Sequence, residues 1–249
     1  MKISYLLSSK IIVLMLFLIL SGCSNKNITI SEIKDPLENI NRKIFNFNRS
    51  VDEKVISPIS ASYKKITPPS TRKAISNHID WLDTPSTILN SSLQVDFKNS
   101  ILASAKFLLN GLTLGFYDLD NGETVIKDRD FGSTLAKLNV PEGPFLMVPL
   151  IGPKTTRDFT GTILDTNITS NISSQDLNNL KLIEIPIDTI DTRAKLSKTI
   201  DNIYESADPY IKLRSFYIQK RRNIVYDEKY SDLKNKKADE EFEKLLEKN

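Results

Sequence analysis

Cysteine and histidine are almost missing from this chain: Cys23 and His78 are the only ones in 249 residues. A single thiol cannot close an intramolecular disulfide. It cannot build a cysteine-based structural zinc site either, and one histidine rules out the two-histidine zinc motif of metalloproteases. His78 alone reads as a surface or capping residue. No Gly-x-Ser-x-Gly elbow is present, which weakens a lipase of the α/β-hydrolase type. Gly152-Pro153-Lys154-Thr155 has the outline of a phosphate loop. It lacks the adjacent Gly-Lys and the earlier glycine, and Pro153 removes a backbone N–H such a loop uses. Carboxylates are plentiful, yet no pair is singled out for glycoside hydrolysis. Counting thus rules out most enzyme constellations, and no catalytic, metal or cofactor site stands out among what remains, so an enzyme is not expected.

Long hydrophobic runs are scarce as well. The one clear run, Ile11 to Leu20, is about ten residues long, whereas a spanning helix needs roughly 20. Lys2 and Lys10 precede or open it, and Ser21 and Gly22 follow, the layout of a secretory signal with a small-residue exit. Leu20-Ser21-Gly22-Cys23 fits the lipobox of bacterial lipoproteins, with cleavage after Gly22 and acylation of Cys23. Ser24, rather than aspartate, follows the cysteine, which favours sorting to the outer membrane. The lone thiol thereby acquires a use, and several acyl chains on one residue give a stable anchor where one alone is marginal. Removing residues 1–22 takes away Lys2 and Lys10, leaving 32 basic against 31 acidic side chains. That balance offers no electrostatic case for nucleic acid.

What the mature chain does contain is helix grammar. Residues 23–34 read as the lipidated cysteine and a tether. Asp35-Pro36-Leu37-Glu38 places an aspartate cap, a first-turn proline and a capping-box glutamate in order. Leu37, Ile40, Ile44, Phe47, Val51 and Val55 then follow at helical spacing, until Pro58 ends or breaks the helix. Thr84-Pro85 and Asp208-Pro209 repeat the start signal, and Ser70 is a further possible cap. Phe97, Ile101, Ala105 and Leu108 make a second stripe; Tyr210, Leu213, Tyr217 and Ile224 make a last one. Strand signals are limited to Phe145-Leu146-Met147-Val148, too brief to separate a strand from an extended loop. The expected class is mainly α, in one domain over 35–226, with one irregular section from Asn110 to Asp158. Residues 227–249 form a charged, exposed tail.

Three blocks resemble the MlaA (VacJ) family of outer-membrane lipoproteins. The first is Asp35-Pro36-Leu37-Glu38 with Asn41-Arg42-Lys43-Ile44-Phe45-Asn46-Phe47-Asn48. The second is Phe131-Gly132-Ser133-Thr134-Leu135, then Gly143-Pro144-Phe145, Pro149-Leu150, Gly152 and Arg157-Asp158. The third is Thr192-Arg193-Ala194 with Ala207-Asp208-Pro209-Tyr210, Arg214, Tyr217 and Gln219. They stand in family order and span residues 35 to about 226. The resemblance implies a ring of amphipathic helices lying in the bilayer around a small channel, with one irregular hairpin section. It implies removal of phospholipid misplaced in the outer leaflet, association with a trimeric porin, and transfer to a soluble periplasmic carrier. The alternative is a structural envelope lipoprotein that binds a porin without moving lipid.

Within that expectation, particular residues take roles. Asn41, Asn46, Phe47 and Asn48 are candidates for the lumen or for hydrogen bonds that close the ring, since amides meet phosphate without the desolvation cost of an unpaired charge. A stripe such as Leu37 to Val55 suits a helix lying flat in a membrane, but periodicity fits a core-facing helix equally well. Lys212, Arg214, Arg221 and Arg222 are candidates to meet lipid headgroups, or else form a solvated face. Members of the family are glycine-rich near Leu135 to Phe145, where a mobile hairpin borders the channel. Here Ala136, Asn139 and Pro141 stand in for glycine and only Gly143 remains, so a stiffer hairpin is expected.

Overall fold

The computed structural model describes residues 35–172 and 175–226. The signal segment 1–22, Cys23 with its tether to residue 34, and the tail 227–249 all lie outside the described residues. The protein is mainly helical, as expected. Its nine α-helices among the described residues are α1 (Glu38–Val51), α2 (Ser57–Ile66), α3 (Pro69–Leu93), α4 (Phe97–Gly111), α5 (Phe131–Lys137), α6 (Thr156–Ile172), α7 (Gln175–Lys195), α8 (Ser197–Tyr204) and α9 (Pro209–Tyr226). The strands β1 (Phe145–Val148) and β2 (Gly152–Thr155) pair antiparallel, Phe145 opposite Thr155 and Val148 opposite Gly152.

Prolines punctuate this fold less bluntly than the sequence suggests. The chain does not stop at Pro58; a π-helical turn over Asp52–Ile56 carries α1 straight into α2. A π turn adds a residue to the helical circuit, and here it absorbs the N–H missing at Pro58. Thr84-Pro85 does not start a helix either, because Pro85 lies inside the 25-residue α3. Thr84 Oγ1 donates to the Asp80 carbonyl at 2.9 Å one turn back. Helix α3 opens at Pro69, with Ser70 already inside it. Asp208 does act as a start signal: its Oδ1 accepts from Ile211 N at 3.1 Å, ahead of α9. Asp35 does not cap α1, whose N-cap position Leu37 has no side-chain hydrogen bond. Its two oxygens instead receive Asn41 Nδ2 and the Tyr210 hydroxyl. Exposed helix-start N–H groups can use water; the buried amide and phenol cannot.

The irregular section resolves into α5, a turn and the hairpin. Asp130 and Ser133 form a reciprocal capping box on α5. The helix ends in a Schellman motif: Val140 N donates to the Leu135 carbonyl, Asn139 N to Ala136, and Asn139 sits at φ 62°. That left-handed position tolerates asparagine next best after glycine. The hairpin lies C-terminal to the stretch where it was expected. Ala136 belongs to α5, Asn139 terminates it, and Pro141 and Gly143 lead into β1. At the hairpin tip Leu150 takes φ 63° and Gly152 φ 94°.

The apolar core is small. Phe45, Phe145, Met147 and Tyr210 are buried together, with Tyr204, Leu213 and Tyr217 packed around them. Edge-to-face ring pairs join Phe45 to Tyr210 at 5.9 Å and Phe145 to Tyr210 at 6.1 Å. The core thus ties α1, the hairpin and α9, far apart in the chain. Elsewhere the polarity inverts. Phe97, Ile101 and Leu108 of α4 are 60%, 68% and 71% exposed, whereas Asn99, Ser100 and Asn110 of the same helix are buried. Helix α3 likewise buries Ser76, Thr84, Thr87, Asn90 and Ser91. Ile40, Phe47 and Val55 of the α1 stripe also point outward. The stripes read from the sequence are real, but most of their members face away from the protein.

Candidate functional site

The three sequence blocks meet in a polar knot around the small core. Helix α1 presents Asn41 and Asn48, seven residues apart and therefore on one face two turns distant. Asn41, only 2% exposed, donates to the Phe145 carbonyl at 3.1 Å and accepts from Met147 N at 2.9 Å. Asn48 donates to the Val148 carbonyl at 2.9 Å and accepts from Leu150 N at 2.8 Å. Two side chains thereby satisfy the free edge of β1 as a third strand would. They also hold Leu150 in its left-handed conformation. Arg42 closes the other side, bidentate on Asp208 at 2.8 and 3.1 Å, with its guanidinium 4.5 Å above the Tyr210 ring.

Helix α9 supplies the second half of the knot. Tyr217 donates to Asp158 at 2.6 Å and accepts from Thr155 N at 3.2 Å. Burial first, and then the Asp158 charge, push its phenol well above the usual tyrosine range. Arg221 is bidentate on Asp130 at 2.6 and 2.7 Å, and its Nε lies 2.8 Å from Asp158. Burial works against the ionised Asp130, but the Arg221 guanidinium prevails and holds that carboxyl below its ordinary value. Glycine makes the arrangement possible. A Cβ on Gly161 of α6 would sit 2.3 Å from Gly132 N of α5, and one on Gly132 would sit 2.5 Å from Arg221 Nη2.

Beside this knot lies a cavity of about 1020 Å³. Its wall is drawn from α3, α4, the segment before α5, α6, α7 and α9. Seven aspartates (Asp80, Asp83, Asp118, Asp128, Asp130, Asp165 and Asp188) face only Lys106, Arg129 and Arg221. The excess makes the wall acidic. Trp81, Ile126, Ile185 and Ile224 add apolar surface, so the lining is amphipathic. Asp165 is tied to Ser86, Asn90 and Phe131 N at 2.8 to 3.0 Å. Burial nevertheless leaves its carboxyl above the ordinary value. Asp80 is raised for the same reason, reinforced by Asp128 and Asp188 and opposed by Lys195. Water reaches Asp80 from within the cavity, and the low-dielectric wall around it disfavours the charged form. Among the described residues no group of three or more histidine, cysteine or acidic side chains could hold a metal ion, and no helix is long and apolar enough to cross a membrane.

A family model described as MlaA lipoprotein matches residues 33–224. The chain belongs to that family. It is similar to the intermembrane phospholipid transport system lipoprotein MlaA of Escherichia coli, 29% identical over 214 residues that cover 83% of this chain and 84% of that protein. It is 31% identical to an uncharacterized protein of Rickettsia conorii over 216 residues, covering 84% and 85% of the two chains. A solved chain described as the structural basis for maintenance of bacterial outer membrane lipid asymmetry superposes with TM-score 0.67 at 30% identity. That likeness covers 77% of this chain and 99% of the other.

For this MlaA-family chain, the candidate residues named from sequence fall into three groups. Asn41 and Asn48 bond the hairpin and are absent from the cavity wall; Asn46 and Phe47 are exposed on the outside of α1. Among the basic residues of α9, Lys212 is exposed and donates to the Asn202 carbonyl at 2.9 Å. Arg214 stands 5.8 Å from the Phe145 ring centroid. Arg221 and Arg222 are mostly buried, Arg222 against Glu142 at 3.2 Å, so neither belongs to a freely solvated face. Of the four, only Arg221 reaches the cavity. Sequence reasoning missed Asp80, Asp128, Asp165 and Asp188. Only Asp80 has a sequence signal, the small and polar residues that share its face of α3; the other three lie on separate segments.

Proposed function

We propose that the protein is an outer-membrane lipoprotein, anchored at Cys23, that takes phospholipid misplaced in the outer leaflet and delivers it towards the periplasm. Its inside-out polarity carries this reading. A charged, water-accessible cavity of about 1020 Å³ lies within a molecule whose surface bears Phe97, Ile101, Leu108 and Leu112 in the open. Water makes that distribution costly, since buried polar groups need partners and exposed apolar area is unfavourable. A bilayer reverses the preference: the apolar exterior meets acyl chains and the headgroup crosses in the polar interior. Helices lying flat need no spanning length. The acidic wall suits a headgroup bearing an ammonium group, whose positive end the aspartates attract. Membership of the MlaA lipoprotein family and the names of its relatives support phospholipid transport and the upkeep of lipid asymmetry. A trimeric porin as scaffold and a soluble periplasmic carrier as recipient complete the proposed route, with no covalent chemistry required.

Deleting the gene should raise phospholipid at the cell surface and sensitise cells to detergent; no change in either would refute the reading. Thr189 is an exposed residue on the cavity wall. Thr189→Trp therefore places an indole on the wall of the conduit and narrows it. The variant should still be captured with the porin by crosslinking but should fail to restore the deletion strain. A protein that merely binds a porin would tolerate it.

A further inference from the structure

A second cavity, of about 410 Å³, opens where α2 meets the end of α7 and the start of α8. Its polar wall has the opposite character to the first. Ser57, Ser60, Lys64, Lys65, Arg193 and Ser197 line it, and Asp201 is its one acid. Ser60 is 3% exposed, and its hydroxyl has no hydrogen-bond partner among the described residues. Arg193 is nearly as buried. Its Nε is held by both oxygens of Asp52 at 2.9 and 3.1 Å, and its Nη2 by Ser57 Oγ and Asp201 at 3.2 and 2.8 Å. That leaves Nη1 with no acceptor among the described residues. Both groups open on the cavity, where an acceptor from outside the chain can displace water and meet them.

Charge points the same way. Asp52 and Asp201 together offset two of the three cations, leaving one positive charge in excess. A carboxylate has two oxygens to offer. Three hydroxyls, a free guanidinium nitrogen and two ammonium groups match the several oxygens of a phosphate more fully. Val55, Ile59 and Ile66, on the opposite face of the same helical run, are exposed and take no part in the cavity.

We infer that this cavity is a phosphate-binding site separate from the central conduit. The phosphate is that of a phospholipid headgroup, or else free inorganic phosphate. The inference stands apart from the transport reading, because none of these residues touches the larger cavity. The test uses the purified full-length chain in neutral detergent, titrated calorimetrically with inorganic phosphate and with short-chain phosphatidylglycerol. The double variant Lys64→Gln/Lys65→Gln changes only exposed side chains and should keep its helical circular dichroism. It should weaken binding at least tenfold, whereas Thr189→Trp should leave this binding unchanged. Weakening with the lipid alone, or with both probes, identifies a lipid headgroup site; weakening with phosphate alone identifies free phosphate. Binding of either probe that the double variant leaves intact, or no binding by the wild-type chain, overturns the inference.

Discussion

The two sides of this molecule solve the burial problem in opposite ways. Around Phe45, Phe145 and Tyr210 the protein is built like any water-soluble domain, with aromatic rings inside and charges paired at the rim. On α4 Phe97, Ile101 and Leu108 face out, and Asn90, Asn99 and Ser91 share the interior of this side with Ile79, Leu82 and Ala103, the only buried apolar residues of α3 and α4. The first side contains nearly all the recurrent sequence blocks and none of the exposed stripe of α4. The second contains most of the cavity wall. One side ties α1, the hairpin and α9 together, and the other presents a lipid-compatible surface around a polar space. On the proposed function, stability and lipid passage therefore reside in different places.

The same substitution on the two sides should separate them most widely. Phe45→Ala removes a ring from the packed core and should destabilise the protein by about 3–5 kcal/mol, read from chemical unfolding in detergent. Phe97→Ala removes an exposed ring and should change that quantity by no more than about 0.5 kcal/mol. Its cost appears instead in partition to lipid vesicles, weakened by about 1.5–3 kcal/mol if the ring is buried in acyl chains. Equal unfolding costs for the two variants would erase the contrast.

A smaller effect belongs to the junction between the two sides, where α5 crosses α6. Gly161→Ala puts a methyl group against the Gly132 backbone, a contact too short to survive without movement of a helix. Overpacking of this sort costs about 1–3 kcal/mol. Because Arg221 threads the same crossing to reach Asp158, displacing it removes the cation that favours the Tyr217 phenolate, so Tyr217 should titrate at still higher pH, detectable by phenolate absorbance. A destabilised variant with an unaltered tyrosine titration would place the strain away from the knot.

How legible each side was follows from how its signals are written. The knot advertises itself through local grammar: Asp208-Pro209 starts a helix, Gly132 permits a close crossing, and Asn41 and Asn48 repeat at a seven-residue spacing. Each has a reason visible in a few neighbouring residues, although that they grip one another, rather than a ligand, is a tertiary fact. The orientation of the stripes was not legible, because a period of 3.6 residues fixes which side chains share a face and says nothing about what that face meets. The cavity wall was least legible. Asp80, Asp128, Asp165 and Asp188 lie on separate segments, and aspartate is common enough that only folding reveals the cluster. Pro58 and Pro85 misled because each sits inside a helical run that continues through it: a π turn over Asp52–Ile56 precedes the first, and α3 is already long established before the second.

Asp80 gives the smallest effect and the finest test of the contrast. Its carboxyl is raised because the cavity wall burdens the charged form and Asp128 and Asp188 repel it. A raised folded value means that the folded chain binds this proton more tightly than the unfolded one. The associated stability is complete below the unfolded value and is lost as pH rises through the folded value. Near neutral pH the wild-type protein therefore carries an ionised Asp80 at a disadvantage that Asp80→Asn does not have. The variant should melt slightly higher at pH 7, and the gap should close as the pH falls and wild-type Asp80 takes up its proton. On the soluble side, where Asp208 is held below its ordinary value by the Arg42 hydrogen bond, the matching Asp208→Asn should melt lower at pH 7. If the acidic wall receives an ammonium headgroup, Asp80→Asn should also lose some capture of phosphatidylethanolamine relative to phosphatidylglycerol. A stabilised variant with unchanged lipid preference would make Asp80 a passive cost of the cavity rather than part of its selectivity.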